Sequence, residues 1–171
     1  MDEVTFLVTM LQNEWSGKVT NGLSSHQVTP TIIDIRNLTK NKAMRYDLSN
    51  KTGSETSDLI VCFEDSQTVE YPTVDLSVRN ETYSMTMHIR CIDDERGSGV
   101  ANFGRDRAHS LYLIARSVIE GKRKGHSITD GGTTTSFDLI SLGNRNESND
   151  RAKRLFGYKI NLTLKRFAVP L

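Results

Sequence analysis

Three stretches hold the residue types from which reactive sites are built. Gly97-Ser98-Gly99 stands between a β-prone run and a helical one, the setting of a phosphate-cradling turn. The next glycine falls at Gly104, outside the spacing of a dinucleotide fingerprint, and no acidic residue closes a following strand, so a plain turn is expected. Asp93, Asp94 and Glu95 are successive carboxylates, hard oxygen donors of the kind Mg²⁺ or Ca²⁺ takes. Side chains at consecutive positions diverge and no EF-hand spacing surrounds them, which makes them a solvated turn. His26, His88, His109 and His126 are scattered, and no two have zinc spacing. His88 falls on the polar face of a strand and His109 on a helix. Either could act as a base, but nothing supplies the third member of a triad. The sequence has no Gly-x-Ser-x-Gly elbow, and neither Glu64 nor Asp75 has the Glu-x-Lys companion of a nuclease site. No catalytic, cofactor or metal site is expected. Basic residues at 151–154 and 165–166 interleave with Leu155, Phe156 and Phe167. That mixture could stack single-stranded nucleic acid, or be a turn followed by a strand with a wet lysine face.

The elements that would position these residues follow from periodicity. Val4, Leu7, Val8, Leu11 and Trp15 recur at helical spacing behind Asp2 and Glu3, predicting a helix over 2–15 that Gly17 ends. Thr31–Arg36 reads as a strand after Pro30, and Asp58–Glu64 as a central strand. Between them, residues 37–57 form a long polar loop. Val74, Leu76 and Val78 alternate with polar residues, as do Tyr83, Met85, Met87, Ile89 and Cys91. With Asn80-Glu81 as a short turn, these two runs predict a β-hairpin. A second helix is expected over 103–121, with Phe103, the stem of Arg107, Leu111, Ile114, Ala115, Val118 and Ile119 on one face, Gly121 at its end and basic residues 122–124 past it. Gly131-Gly132 and three threonines lead to a strand at Phe137–Leu142. A loop at 143–154 precedes the closing strand, where Tyr158, Ile160, Leu162 and Leu164 alternate with Lys159, Asn161, Thr163 and Lys165. The fold class is α+β: one domain over 1–171, with a mixed, mainly antiparallel sheet, a hairpin, an N-terminal helix and a second helix.

Composition narrows the function classes. At 171 residues the chain can bury roughly 70% of its unfolded surface as one domain. Its 25% charged and 36% hydrophobic content is that of a folded protein. A net charge of +1 argues against general nucleic-acid binding, but its distribution is uneven. Residues 1–121 carry 12 Lys and Arg against 17 Asp and Glu; residues 122–171 carry 10 against 4. Two poles of opposite sign favour head-to-tail contact between copies. The opening MDEVTFLVTM has neither a basic n-region nor a long apolar core, so no signal peptide is expected. No run is long enough to span a membrane. Cys62 and Cys91 each sit in an apolar run, where reduced, buried thiols are expected.

The order of these elements resembles the tail terminator (tail completion) proteins of tailed phages and related archaeal viruses. The likeness is carried by the helix at 2–15, the pair Thr73–Val78 and Tyr83–Ile92, the helix 103–121, and the late FGYKINLTLKRF. It is a likeness of layout over most of the chain, without an invariant motif. The resemblance implies a virion protein without catalysis, found in the neck and assembled in the host cytoplasm. Family members form a ring, commonly a hexamer, that caps the tail tube and meets the head–tail connector or a head-closure protein. DNA passes through such a ring without specific binding. Interface residues are then expected at Lys42, Arg45 and Tyr46 of the long loop and at Asp93, Asp94 and Glu95. The remainder are basic or aromatic and lie late in the chain: Arg145, Arg151, Lys153, Arg154, Lys165, Arg166 and Phe167. Another head-closure, neck or tube-associated part is the alternative. Beyond that lies a nucleic-acid binder, or an enzyme whose site is not recognisable.

Overall fold

The computed structural model describes residues 1–20, 30–36, 58–72, 74, 76–92, 104–150 and 155–170. Helix α1 (Glu3–Thr20) begins where Asp2 Oδ1 accepts the Thr5 N–H at 2.8 Å, an N-cap that satisfies one orphan donor. It buries Phe6, Leu7, Met10, Leu11 and Trp15. The helix runs past its expected end at Gly17. A helical glycine costs only about 1 kcal/mol relative to alanine, and Gly17 faces open space. Helix α2 (Gly104–Gly121) buries Ala108, Leu111, Ile114, Ala115, Val118 and Ile119, the face its spacing predicts. Lys122 does more than stand beyond its end: its Nζ pairs with Glu14 Oε1 of α1 at 2.8 Å, tying the helices together.

Among the described residues seven strands accompany them: β1 (Thr31–Asp34), β2 (Leu59–Glu70), β3 (Val78–Ile92), β4 (His126–Asp130), β5 (Thr133–Phe137), β6 (Leu139–Glu147) and β7 (Leu155–Pro170). Five form one sheet in the order β1-β2-β3-β7-β6. Only the β1–β2 pair is parallel, so the fold is α+β with a mixed, mainly antiparallel sheet. Both helices pack on one face of it. Tyr83, Met85, Met87 and Ile89 of β3 meet them there, with Tyr158, Ile160, Leu162 and Leu164 of β7. The period-two pattern placed these core residues correctly.

The hairpin is not where the sequence predicts it. Asn80-Glu81 is no turn. Both residues lie within β3, opposite Glu70 and Val69 of β2. The reversal falls between Glu70 and Val78, and the expected short strand at 73–78 is the connection; Thr73 and Asp75 lie outside the described residues. Asn-Glu reads as a turn by composition, but Glu81 finds buried partners that a turn would deny it. The closing region also divides differently. Gly131 and Gly132, at φ 55° and 81°, make a two-residue reversal between β4 and β5. Positive φ at both central residues matches the twist of a hairpin, and glycine takes it without strain. The expected strand 137–142 is therefore two, β5 and β6, which meet at Asp138. The loop expected at 143–154 is strand as far as Glu147, and Asp150 and Leu155 then exchange backbone hydrogen bonds of 2.9 Å. The long loop at 37–57 lies outside the described residues.

The β4–β5 ribbon is the third cover of the helix-side core. Phe137 enters it edge-on to Phe6, centroids 4.7 Å apart, and to Tyr83 at 5.8 Å. Gly157 marks a close approach within the main sheet: a Cβ there would lie 1.9 Å from the Ile89 carbonyl oxygen. Cys62 and Cys91 are buried, reduced thiols, and burial pushes the Cys62 pKa up.

Candidate assembly surface

At the β2–β3 hairpin end, three strands of the main sheet and the ribbon bring together residues far apart in sequence. Glu81 is only 3% exposed and carries a carboxylate into the fold. Arg79 Nε donates to its Oε1 at 2.8 Å, and the Tyr83 hydroxyl donates to its Oε2 at 2.9 Å. Gln67 Nε2 donates in turn to the Tyr83 oxygen at 3.1 Å. Arg166 completes the cluster. Its Nη1 lies 3.5 Å from Glu81 Oε2 and its Nε donates to the Ser136 carbonyl at 3.0 Å. Its guanidinium sits 4.2 Å from the Phe137 ring centroid. A buried charge requires this paired and hydrogen-bonded treatment. Burial, with the Glu81 carboxylate beside it, pushes the Tyr83 phenol up to about 12.

Arg166, expected as an exposed interface cation like Lys165, is instead turned to the side of Leu164, where the alternation of β7 carries it, and is paired with Glu81. It belongs to the helix side and is neutralised there. Phe167 follows at a register shift between β3 and β7, and its N–H donates to Asp138 Oδ2 at 2.7 Å. Ala168, at φ 52°, donates its N–H to Asn80 Oδ1 at 3.1 Å. The tail Phe167–Pro170 therefore extends its own sheet. Beside it opens a cleft of about 400 Å³, lined by Met1, Thr134–Ser136, Asp138 and Arg166–Pro170.

Arg145, grouped with Arg166 by sequence, stands opposite Ile160, six residues away along β7, or about 20 Å. Its guanidinium lies 4.4 Å from the Tyr112 centroid and 4.9 Å from that of Tyr158. Lys165 pairs with Leu139 and Thr82, its carbonyl taking the Asp138 N–H at 2.8 Å. Lys42, Arg45, Tyr46, Asp93, Asp94, Glu95, Arg151, Lys153 and Arg154 lie outside the described residues. The structure thus brings together Arg166 and Phe167, and separates them from Arg145.

Reading the sequence missed Glu81, Arg79, Tyr83 and Phe137 as one cluster with Arg166, because nothing local links residues up to 87 positions apart. It also missed the exposed apolar residues of the hairpin end, which did carry a signal: Val69, Tyr71, Val74 and Leu76 crowd a short stretch bounded by Pro72. They are exposed by 37%, 50%, 103% and 51%, and Phe167 at the same end of the sheet by 50%. Ile35 is the sole large exposed apolar residue elsewhere among the described residues.

Among the described residues no three His, Cys, Asp or Glu gather as a metal would need, and no helix is long and apolar enough to cross a membrane. Burial, with Arg90 and Lys159 nearby, lowers the pKa of His88, whose Nε2 is buried without a hydrogen-bond partner among the described residues. Burial and Lys122 lower that of His126, which meets Phe6 edge-on. No protein-family model matches the chain, and comparison with the curated proteins found no match.

Proposed function

We propose that this chain is a non-catalytic assembly subunit of a virion neck. It associates with its own copies in a ring that caps a tail tube and meets the connector or head-closure protein on the other side. The observation that carries the reading is the hairpin end. The outer half of β2, from Glu64 to Glu70, is exposed throughout, and it leads to a cluster of exposed apolar side chains. Exposed apolar patches of this kind mark contact surfaces. Strand β6 adds an edge of the sheet with no described strand on its outer side, the kind of edge that pairs with another chain. The opposite charges of the two parts of the chain favour a heterologous contact, the kind that closes into rings.

The test is to measure native mass across a range of concentrations and then to locate the labelled subunit in particles by electron microscopy. A closed oligomer and density between tube and connector are expected. A monomer at every concentration, with no particle association, would overturn the reading. A single-stranded nucleic-acid binder is the second reading. It is favoured by Lys159, Asn161, Thr163 and Lys165, which alternate with the core residues of β7 and so share the face opposite the described helices. Binding to single-stranded DNA that weakens steeply with salt would select it.

A further inference from the structure

Where β6, β7 and α2 meet, hydrogen-bond donors converge that the chain itself leaves unused. The Arg145 guanidinium lies over the Tyr112 and Tyr158 rings, whose centroids are 5.6 Å apart. A cation held by ring faces is positioned without a hydrogen bond, so its N–H donors stay available. They meet no acceptor or carboxylate among the described residues. The Tyr158 hydroxyl has no hydrogen-bond partner among them either, although the residue is only 6% exposed. A polar side chain so enclosed is normally hydrogen-bonded. Burial raises the pKa of this phenol, so it is an O–H donor at neutral pH, and the charges of Arg145 and Arg105 both act on it. Arg105 stands exposed in the first turn of α2, without an ion pair among the described residues. That turn is anchored by Arg107, whose Nε lies 3.2 Å from both carboxylate oxygens of Asp58. The neighbouring charges are engaged elsewhere. Glu147 Oε2 accepts from Asn149 at 3.1 Å, and Arg116 pairs with Glu120 at 2.7 Å.

We propose that Arg145, Arg105 and the Tyr158 hydroxyl form a binding site for a phosphate oxyanion, either inorganic phosphate or a group in a phosphodiester backbone. Two guanidinium forks and one hydroxyl reach it from three elements. The tetrahedral oxygens of a phosphate can accept from all three, whereas a carboxylate offers two oxygens in one plane. The rings fix Arg145 and the core fixes Tyr158 before a ligand arrives, which removes part of the ordering cost of binding. The site is separate from the ring reading, which needs no anion. It also lies on the helix side of the sheet, with Tyr158 among the core residues, and not on the face that carries Lys159.

The test follows the melting temperature of the full chain as inorganic phosphate is added, against sodium chloride at matched ionic strength. A second arm follows the fluorescence anisotropy of a labelled single-stranded oligonucleotide. Phosphate is expected to raise the melting temperature beyond the chloride control. Tyr158→Phe keeps the ring and removes only the hydroxyl, and Arg105→Gln changes an exposed side chain, so both variants are expected to fold. Each is expected to weaken binding about tenfold, the worth of one hydrogen bond to a charged acceptor. A phosphate effect that falls in both variants assigns inorganic phosphate. An oligonucleotide signal that falls in both, without a phosphate effect, assigns the phosphodiester. No response to either probe beyond the chloride control, or a response of equal size in the variants, would overturn the site and leave the ring reading untouched.

Discussion

The two ends of β7 hold their arginines by different physics. At the Tyr158 end, Arg145 lies exposed across two tyrosine rings, beside Gly157, whose missing Cβ leaves room for the Ile89 carbonyl of β3. Backbone proximity and aromatic packing make that joint, and the cation is an addition to it. At the hairpin end, Arg166 is a quarter exposed and balances a carboxylate that is almost fully buried. There the ionic network is itself the joint, and the β5–β6 crossover and the tail are built around it. Two residues of the same type, on neighbouring antiparallel strands, therefore differ in what their loss would do. A solvent-exposed cation over aromatic rings contributes about 0.5–1 kcal/mol. Removing one partner of a buried, hydrogen-bonded pair costs several times that, because the other charge stays behind without a partner.

The contrast can be broken in order of expected effect. Gly157→Ala is expected to be the most damaging, since the new Cβ meets backbone rather than a flexible side chain; a loss of about 3 kcal/mol or more in denaturant unfolding would show it. Next, Glu81→Ala is expected to cost about 3 kcal/mol, lowering the midpoint of thermal unfolding by about 6–12 °C. A change below ~1 kcal/mol would mean that Arg79 and Arg166 are solvated well enough to need no counter-charge.

The hairpin end should also answer to alkali. The Tyr83 phenol is raised from 10.0 to about 12, so the fold favours its protonated form. Its contribution is full below pH 10 and is lost as pH rises towards 12. Tyr83→Phe should flatten this part of the stability profile; an unchanged slope would assign the alkaline loss to another group. The smallest effect belongs to Arg145→Ala, about 0.5–1 kcal/mol in unfolding experiments, with no alkaline signature. If it matched Glu81→Ala, the distinction between the two ends would collapse.

Much of the fold was legible because it rests on local pattern. The helix-facing rows of β3 and β7 alternate strictly, and the buried face of α2 recurs at helical spacing, so burial followed from period alone. Boundaries were less legible. Asn80-Glu81 has turn composition, yet β2 and β7 pair with it on both sides and hold it extended. Gly131-Gly132 did carry a turn signal, but its flanking threonines and serines lack the apolar alternation that would have marked β4 and β5 as strands.

The sequence by itself determined the class of the molecule: two amphipathic helices, a sheet with one buried face, two thiols in apolar runs and two parts of opposite charge. Only the tertiary structure decided which charges are spent inside the fold and which surface is left unpartnered. Arg166 reads as a strand-face cation until Glu81, 85 positions earlier, is placed against it. Val74 and Leu76 read as strand residues until the chain reverses around them. The reason is physical. Periodicity reports which side of an element faces inward, whereas the partner across the sheet is chosen by register, and register is set by the packing of the whole.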